Sequence, residues 1–531
     1  MSNDSDTAMA APNAKRLLWA GFMAILAAGV GFSVRGGILV QWAEDFGFTM
    51  TELGTITGGG LTGFGVVIIV TSLFADAIGY GKLMTAAFVL HFISAVVTLA
   101  APAAFDAGGK DAAFQCLFWG MFIFAVGNGV CEAVVNPLTA TLFPKSKTHY
   151  LNILHAGWPA GLVIGGLASA FMAAKVDTDG SVLQAAVDWK IQMSLFLVPV
   201  ILYGGMLLGQ RFPKSEAAAA GVSTGQMLAS VVTPLFFILL VLHALVGYVE
   251  LGTDSWISKI TGSIMNDPQK GLMLFVYTSS LMFALRFVAG PIVHRISPLG
   301  LLFVSSILGA LGLTMLGTAT SLIMCVVAAT VYACGKTFLW PTMLAVGSER
   351  FPKGGAVAIG LMGGMGMLSA GLLGGPAIGY KQDYYASQDL RDNAEPTYAR
   401  YSVEKPEGFL FLPKIKGLDG AKVGVLADQG KELAAIGETL AADGETDENY
   451  DKLSAWWESA KPFAGEDKAP VGAATLAGGR MALKLTAAIP AIMAVLYLLL
   501  IIGFKAVGGY KPIHIDDSEM LTGGVEGPME A

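Results

Sequence analysis

The chain has 531 residues, of which 54% are hydrophobic and only 14% are charged, and its formal net charge is −7. A soluble protein of this length carries about 25% charged residues, so this composition excludes an ordinary soluble protein and indicates that most of the chain lies in a bilayer. The acidic balance argues against a nucleic-acid partner. The four cysteines lie in apolar runs without CxxC pairs or histidines at ligand spacing, so we expect no disulfide, metal or cofactor.

Apolar stretches of about 17 to 25 residues can cross a hydrocarbon core about 30 Å thick, and in lipid they must do so as helices. About twelve such stretches follow in chain order, near residues 17–42, 52–76, 83–103, 114–142, 150–174, 190–210, 231–259, 270–293, 299–319, 321–349, 355–379 and 484–505. No small-residue cleavage site follows the first stretch, so we interpret it as a retained span. The sequence therefore predicts an all-α integral membrane protein.

Basic residues in the short loops predict the orientation, because cytoplasmic loops are enriched in lysine and arginine. The short loops on the side of the N-terminus hold Lys15, Arg16, Lys82, Lys145, Lys147, Arg211, Lys214, Arg295, Arg350 and Lys353. The short loops on the opposite side hold fewer. We therefore expect both termini in the cytoplasm and a multi-pass protein of the cell inner membrane.

The longest polar stretch, residues 380–482, lies between the last two spans and hence on the outer face. It contains 18 acidic and 12 basic residues, a net charge of −6 that accounts for nearly all of the charge of the chain. Residues 425–440 and 450–460 have helical composition and are separated by a break at Asp443-Gly444. We interpret this insert as a solvated cap on the outer mouth. Alternatively, Trp456-Trp457 and residues 409–412 form a lid or contact another outer protein.

An internal repeat relates the two halves of the chain. The fourth span reads GNGVCEAVVNP from Gly127 to Pro137 and is followed by FPK, while the tenth ends in ACGKTFLWP at Pro341 and is also followed, ten residues later, by FPK. Aligned on the prolines, Glu132 and Lys336 each lie five residues before the proline. We therefore expect an acid and a base to face each other by pseudo-symmetry.

Repeats of this kind are typical of transporters, whose binding site lies at the repeat interface near the middle of the membrane. The repeat predicts two six-helix halves. The predicted division is a first half in 1–210, a cytoplasmic linker in 211–230, the first five helices of the second half in 231–379, the insert in 380–482, and the last helix with its tail in 483–531.

Two loops carry an acid or a base around a glycine-containing turn. Asp76 and Lys82 bracket the turn after the second span, and Arg295 ends the turn after the eighth. These loops resemble the cytoplasmic loop signature of the major facilitator superfamily, in which such charges can hold the halves together in one conformation. We predict gating roles for these three residues and for Asp254, near the outer end of the seventh span.

Within that superfamily, the chain resembles the fucose:proton symporter family of sugar permeases. The resemblance rests on the stretch from Cys131 to Pro137, on Leu151-Asn152, on Tyr248-Val249 through Trp256, and on Trp340-Pro341-Thr342. In that family a carboxylate before the Asn-Pro of the fourth span is tied to proton coupling, and the matching residue here is Glu132. The second coupling acid of the family, in the first span, has no match, since that stretch reads Arg35-Gly36-Gly37.

Charged residues inside spans cost roughly 2.5–3.5 kcal/mol each on insertion scales, so each needs a partner, a cavity or a function. Glu132 is predicted to carry the coupled proton, and the alternative is a structural ion pair with Arg35 or Lys336. Sugars need hydrogen-bonding groups beside aromatic faces. The predicted substrate-binding residues are Arg35, Asn136, Asn152, His155, Trp158, Tyr248, Glu250, Lys336 and Trp340. Arg286 is equally compatible with a bridge to a neighbouring helix and with a functional role.

The sequence thus predicts a monomeric secondary active transporter that moves a small polar solute, a monosaccharide or similar polyol, by alternating access coupled to protons. One alternative is a carrier of small organic or inorganic anions, which the cations Arg35 and Lys336 favour. Another is a membrane sensor that uses the insert. We expect no enzyme, because the sequence holds no nucleophile constellation, phosphate loop or metal cluster.

Overall fold

The computed structural model describes residues 12–48, 50–58, 60–173, 175–176, 182–443, 446–513 and 515. Residues 1–11, most of the C-terminal tail beyond residue 513, and Gly444 of the predicted helix break lie outside the described residues. Eleven helices in the described part are long and apolar enough to cross a membrane, and a further helix, Pro268–Arg286, lies where the eighth span is predicted. The prediction of an all-α membrane protein with about twelve spans is confirmed. One short strand pair, Lys175–Val176 with Val182–Gln184, joins spans 5 and 6.

The helices are numbered as spans 1 to 12 in chain order. The first six are Ala14–Gly37, Glu52–Ile78, Tyr80–Leu99, Ala101–Leu142, Lys147–Met172 and Trp189–Leu207. The second six are Pro234–Met265, Pro268–Arg286, Ala289–Thr318, Leu322–Arg350, Pro352–Asn393, and Ala464–Thr486 continued by Ala488–Ala506. Spans 1 to 6 form the N-terminal half and spans 7 to 12 form the C-terminal half.

Two of these helices contain the turn between neighbouring spans. In span 4, Gly109 leaves helical geometry with a φ of +69°, a conformation that glycine adopts readily. The chain folds back at this point, because Gly120 of span 4 packs directly against Thr98 of span 3. Ser297, with a φ of +63°, makes the corresponding turn between spans 8 and 9.

The predicted repeat is visible in the backbone. Spans 4 and 10 both end at the phenylalanine of their FPK sequence, Phe143 with φ −132° and ψ 61° and Phe351 with φ −128° and ψ 57°. In both spans the N–H of this phenylalanine donates to the carbonyl four residues earlier, of Thr139 and Gly347. The same sequence therefore ends the corresponding helix of each half in the same way.

Both described chain ends lie on one face of the membrane, which we call the terminal face. An even number of spans returns the chain to its starting side. Asn13 Nδ2 donates to Gln210 Oε1 at 3.1 Å, and Arg350 Nη1 donates to the carbonyl of Lys511 at 2.6 Å, so the ends meet loops of that face. The opposite side, which carries residues 380–482, is called the insert face.

The halves contact each other between the membrane centre and the terminal face. Thr148 Oγ1 of span 5 donates to Glu349 Oε1 of span 10 at 3.1 Å, and the N–H of Gly290 donates to His149 Nδ1 at 3.2 Å. Spans 2 and 11 approach closely through small residues: a Cβ on Gly65 would lie 2.9 Å from the carbonyl oxygen of Gly364. The structure therefore has a closed terminal side.

The linker and the C-terminal segment cover this closed side. The linker contains the helices Glu216–Ala219 and Thr224–Val231. Lys147 at the start of span 5 pairs with Glu216 of the linker at 3.2 Å. Tyr510 donates to Glu349 Oε2 at 2.6 Å, and Ile515 is buried in a small apolar cluster that also contains linker residues.

The insert combines extensions of spans 11 and 12 with a set of short helices. These helices are Glu395–Tyr401, Gly420–Asp428, Lys431–Asp443, Glu448–Ala460 and Lys461–Phe463. The prediction of one helix over 425–440 is wrong, because Gln429 and Gly430 take positive φ values of 62° and 77° and end the first helix. The predicted helix over 450–460 is confirmed.

The tryptophan pair of the insert belongs to its core. Trp457 is buried, and Trp456 packs edge-on against Tyr401 while its Nε1 donates to the carbonyl of Arg400 at 3.0 Å. Arg400 also pairs with the fully buried Asp467 of span 12. The alternative in which the two tryptophans form a lid is therefore wrong, since their rings hold the insert together.

Residues 409–412 lie at the tip of a hairpin in the insert. Phe409 packs against an apolar cluster that contains Tyr248 and Ile378, whereas Phe411 is 91% exposed. A lid or a contact with another protein at this tip stays a prediction.

Candidate functional site

In the described part of the chain, four spans have an interruption that adjoins a charged or titratable residue. The helix of span 5 breaks after His155, and that of span 10 breaks after Lys336. Span 7 contains the π-helix Tyr248–Gly252, which includes Glu250, and the helix of span 8 ends at Arg286. Interrupted helices expose backbone groups that a continuous helix would pair internally, and in membrane proteins such segments line binding sites.

A chain of three polar side chains links spans 4 and 5. Glu132 is 8% exposed, and Asn136, one turn later, donates from Nδ2 to Glu132 Oε2 at 2.5 Å. Asn136 Oδ1 lies 2.8 Å from His155 Nε2. Since an amide oxygen only accepts, His155 carries its proton on Nε2 in this arrangement. Three of the predicted site residues are thus brought together.

Two ion pairs lie within the C-terminal half. Arg286 Nη2 is 2.9 Å from Glu250 Oε1, and Lys336 Nζ is 2.5 Å and 2.7 Å from the two oxygens of Asp254. The Arg286 and Lys336 side chains are 1% and 0% exposed. These are buried pairs in which the charges compensate each other.

The observed partners of Lys336 and Arg35 correct three predictions. Glu132 and Lys336 do not form an acid and base that face each other, because Asp254 of the same half takes the lysine with both oxygens. The alternative of a structural ion pair is wrong as well, because Lys336 is held by Asp254 and Arg35 donates to Ser94 inside the N-terminal half. Asp254 also does not lie at an outer gate, since it belongs to this central pair.

Arg286 connects the two halves. Its Nε donates to the carbonyl of Thr337 in span 10 at 2.9 Å, and its Nη1 donates to the carbonyl of His155 in span 5 at 2.5 Å. Together with Glu250, it binds three acceptors on three spans. The sequence interpretation left this residue undecided, although a lone arginine in an apolar stretch shortly before Gly290 was a signal of a central role.

Arg35 lies apart from these ion pairs, inside the N-terminal half. Its Nη2 donates to Ser94 Oγ at 2.8 Å, and its guanidinium lies 3.9 Å from the centroid of the Phe124 ring and 5.0 Å from that of Phe196. The side chain is 1% exposed. The expected substrate contact of Arg35 therefore has no support in this arrangement, which is that of a packed cation on aromatic rings.

Two further predicted site residues are engaged in packing between spans. Asn152 Nδ2 donates to Thr342 Oγ1 across the two halves at 3.3 Å. Trp340 is 4% exposed, and its ring centroid lies 4.6 Å from that of His243, a buried histidine that sequence analysis missed. Both residues therefore shape the contact surfaces of their helices.

Two aromatic residues of the predicted site, Trp158 and Tyr248, contact side chains that the sequence did not point to. Trp158 of span 5 is half-buried and pairs with Phe32 of span 1, whose side chain is 47% exposed, at 5.7 Å between ring centroids. Tyr248 accepts a hydrogen bond from Lys381 Nζ at 3.1 Å. Phe32 and Lys381 were not predicted, because a phenylalanine in an apolar run and a lysine at the edge of the insert carry no distinct sequence signal.

The other three predicted gating residues lie on the terminal face. Asp76 is at the end of span 2, where its Oδ2 would be 3.1 Å from a Cβ on Gly355, the first residue of the helix Gly355–Ser369. Lys82 and Arg295 are exposed. Asp76 therefore places an acid of one half at the N-terminus of a helix of the other, where negative charge is favourable.

The central charges differ in their freedom to exchange a proton. Within the described part of the chain, Glu250 and Asp254 each hold a cation, whereas Glu132 forms no ion pair and is held by Asn136. A proton can bind to or leave Glu132 without stranding a buried cation. Glu132 is thus the carboxylate of this cluster best suited to reversible protonation.

The comparisons with known proteins agree with this architecture. The family model described as Major Facilitator Superfamily matches residues 21–375. No curated protein matches the sequence. FucP, the E. coli fucose:proton symporter, solved in the outward conformation, is 16% identical, with 69% of this chain and 92% of FucP covered and a TM-score of 0.56.

Two further solved structures are similar in fold. A bacterial homologue of the human lysosomal transporter Spinster, inward-facing and unoccupied, is 15% identical, with 94% of this chain and 99% of its own covered and a TM-score of 0.60. The proton:xylose symporter XylE bound to 6-bromo-6-deoxy-D-glucose is 14% identical, with 67% and 86% covered and a TM-score of 0.53. At these identities the likeness concerns the fold.

Proposed function

Because this chain belongs to the major facilitator superfamily of membrane transporters, we propose that it is a proton-coupled secondary active transporter of a small neutral polar solute, a monosaccharide or similar polyol, working by alternating access. The observation that carries the proposal is the division of the central charges into two compensated pairs and one carboxylate without a cation. Two sugar:proton symporters of the same fold support it.

The compensated pairs favour a neutral substrate over an anion. An anion needs a cation free to bind it, but Lys336 and Arg286 are already held by carboxylates of their own half, and Arg35 is enclosed among aromatic rings. Taking a cation from a buried pair leaves its partner uncompensated, which is costly. None of these three cations in the described part of the chain is therefore free to bind an anion in this arrangement.

Groups suited to a sugar lie close to the coupling carboxylate. Trp158, three residues after His155, and its neighbour Phe32 offer aromatic faces on which the apolar side of a pyranose can stack. Asn136 and His155 offer amide and imidazole groups to the hydroxyls. We propose these four residues as the substrate-facing set, with Glu250 and Lys336 defining the opposite wall.

Coupling follows from the exchange of one proton on Glu132. In the proposed cycle, substrate and proton bind from the insert side while the terminal side is closed, and the loaded protein then reorients and releases both. Deprotonated carrier returns empty. With the basic loops on the terminal face, that face is the cytoplasmic one, so both termini lie in the cytoplasm and transport runs inward across the inner membrane.

Transport by purified monomeric protein in liposomes tests this proposal. The panel consists of labelled monosaccharides, polyols and small carboxylates, each with and without an inwardly directed pH gradient. We expect accumulation of at least one neutral member, driven by the gradient and abolished by a protonophore. Accumulation of carboxylates alone would refute the proposed substrate class. Ligand binding by the insert without transport of any solute would favour the sensor alternative.

A further inference from the structure

The two carbonyl groups that Arg286 binds share a cause in the sequence. In a helix, the carbonyl of residue i accepts from the N–H of residue i+4. Four residues after His155 stands Pro159, and four residues after Thr337 stands Pro341, so neither carbonyl has a helical donor. Arg286 donates to both of these oxygens, one in each half of the protein.

The bond to His155 is a charge-assisted contact across the interface between the halves. Arg286 is 1% exposed and His155 is 3% exposed, so water does not compete for the bond in this conformation. It lies near the centre, on the closed terminal side of the protein. Separation of the halves on that side must break this charge-assisted bond.

The same carbonyl belongs to the residue that ends the Glu132 chain. Glu132 binds Asn136, Asn136 binds His155, and the backbone of His155 binds Arg286. Arg286 is thus connected to the Glu132 carboxylate through two polar residues, across the interface between the halves. The other titratable or charged groups around this cluster are Glu250 and Asp254, which hold Arg286 and Lys336, and the buried His243 of span 7.

We propose that Arg286 is a positioning residue that clamps the two halves together through the proline-freed carbonyl of His155, and that protonation of Glu132 loosens this clamp. This inference rests on the proposed function for the role of Glu132, whereas the clamp itself does not. An ionised Glu132 attracts the guanidinium toward the N-terminal half. When Glu132 is neutral, Glu250 is the remaining acid partner, and Arg286 withdraws into its own half.

Two matched proline variants test the clamp. Pro159→Ala restores an N–H that competes with Arg286 for the carbonyl of His155 across the interface. Pro341→Ala restores the equivalent N–H for Thr337, within the half that contains Arg286, and therefore serves as the control. Both changes add a helical hydrogen bond, so neither is expected to prevent folding.

The opening of the terminal side is measured as the distance between spin labels on cysteines at the exposed positions Lys145 and His294, in protein lacking its four native cysteines. At pH 8 we expect Pro159→Ala to raise the ratio of open to closed protein about tenfold, the effect of one hydrogen bond to a charged group. Pro341→Ala should stay near the parent value. Equal ratios in the two variants would overturn the clamp.

The dependence on Glu132 is tested by the pH response of the same distance. The parent ratio should rise as the pH falls, by at most about tenfold per pH unit for one coupled proton. Arg286→Lys keeps the charge, but one ammonium cannot reach acceptors on three spans, so its response should be flat. Arg480→Lys, at an arginine that donates to the carbonyl of Ala319 within one half, should respond as the parent does.

The outcomes separate this inference from the proposed function. If Glu132→Gln abolishes pH-driven accumulation while Arg286→Lys keeps the full pH response, the function stands and the switching role of Arg286 is refuted. If Glu132→Gln still accumulates substrate, the coupling assignment fails, and the proline pair still decides the clamp at fixed pH. If Arg286→Lys does not fold, Glu132→Gln replaces it in the same assay. A permanently neutral side chain should leave the ratio of open to closed protein high and independent of pH, and a parental pH response would refute the switch.

Discussion

Replacing Glu132 by glutamine separates a proton carrier from a structural acid. The amide keeps the shape of the side chain, and its oxygen can still accept from Asn136 Nδ2, the bond of 2.5 Å in the structure. Exchanging a charged for a neutral acceptor should therefore cost only about 1 kcal/mol in the free energy of unfolding. An acid that holds a buried cation, such as Glu250, would instead leave that cation stranded at a cost of about 3–5 kcal/mol.

The functional effect is much larger than the effect on stability. A gradient of one pH unit stores about 1.4 kcal/mol, which supports up to about tenfold accumulation of a neutral substrate with one proton. Glu132→Gln cannot release a proton, so accumulation should fall to the equilibrium level, while exchange of labelled for unlabelled substrate continues because it needs only the loaded carrier. Counterflow and pH-driven uptake in the same liposomes measure the two activities.

The control for this experiment is Glu448→Gln, which removes an exposed acid from the insert and should leave accumulation intact. A stable Glu132→Gln protein that accumulates substrate on a pH gradient would refute the coupling role. A large loss of stability in thermal unfolding would show instead that a cation in another conformation depends on this carboxylate.

Three further changes test other parts of the structure. Lys336→Met strands the carboxylate of Asp254 and should lower the free energy of unfolding by about 3–5 kcal/mol. Adding Asp254→Leu to the same protein should restore most of this free energy. If thermal unfolding shows no recovery in the double variant, the pairing is contradicted. Asp467→Ala leaves Arg400 without its carboxylate partner and should destabilise the insert by about 1–3 kcal/mol. We expect faster proteolysis of the insert, with transport retained. Unchanged proteolysis would argue that this ion pair does not stabilise the insert. Tyr510→Phe removes one hydrogen bond that holds the C-terminal segment to the terminal face and should raise the open fraction of that side several-fold in the spin-label assay. An unchanged open fraction would show that this segment does not hold the terminal side closed.

The sequence was sufficient for the architecture because the bilayer imposes a simple rule. Apolar runs of span length must be helices, and the repeated FPK sequence marks equivalent helix ends, which the matching geometry of Phe143 and Phe351 confirms. The insert was harder to predict. Its helix 425–440 was expected to pass through Gln429-Gly430, since composition alone does not show whether a glycine is tolerated inside a helix or ends it.

The ion pairs could not be derived from the repeat. Alignment on the prolines places Glu132 and Lys336 at equivalent positions, but side-chain direction depends on local helix geometry. Glu250 lies in the π-helix of span 7 and Asp254 in the first turn after it, and each reaches a cation of the neighbouring spans. A π-helix of five residues has no clear sequence signature. The sequence therefore does not show which of the three acids pairs with each cation, because this depends on the tertiary structure.

The prolines, in contrast, contained a signal that the sequence could have yielded. Pro159 and Pro341 each free a carbonyl four residues earlier, and a buried carbonyl in lipid requires a donor. Arg286 is a buried side chain with donors in a planar fork, and it meets both carbonyls. A search for proline-freed carbonyls and unassigned arginines in the spans would have placed Arg286 at the centre.

The same cluster bears on the number of protons carried in each cycle. Its carboxylates are Glu132, Glu250 and Asp254 and its cations are Arg286 and Lys336, which gives one excess negative charge when every group is ionised. An uncompensated charge near the membrane centre is unfavourable, and one proton on Glu132 makes the cluster neutral. A neutral sugar preserves this balance, whereas an anion restores the excess charge. The arrangement therefore supports one proton per neutral substrate, and a measured ratio of two would require a second titrating group beside Glu132.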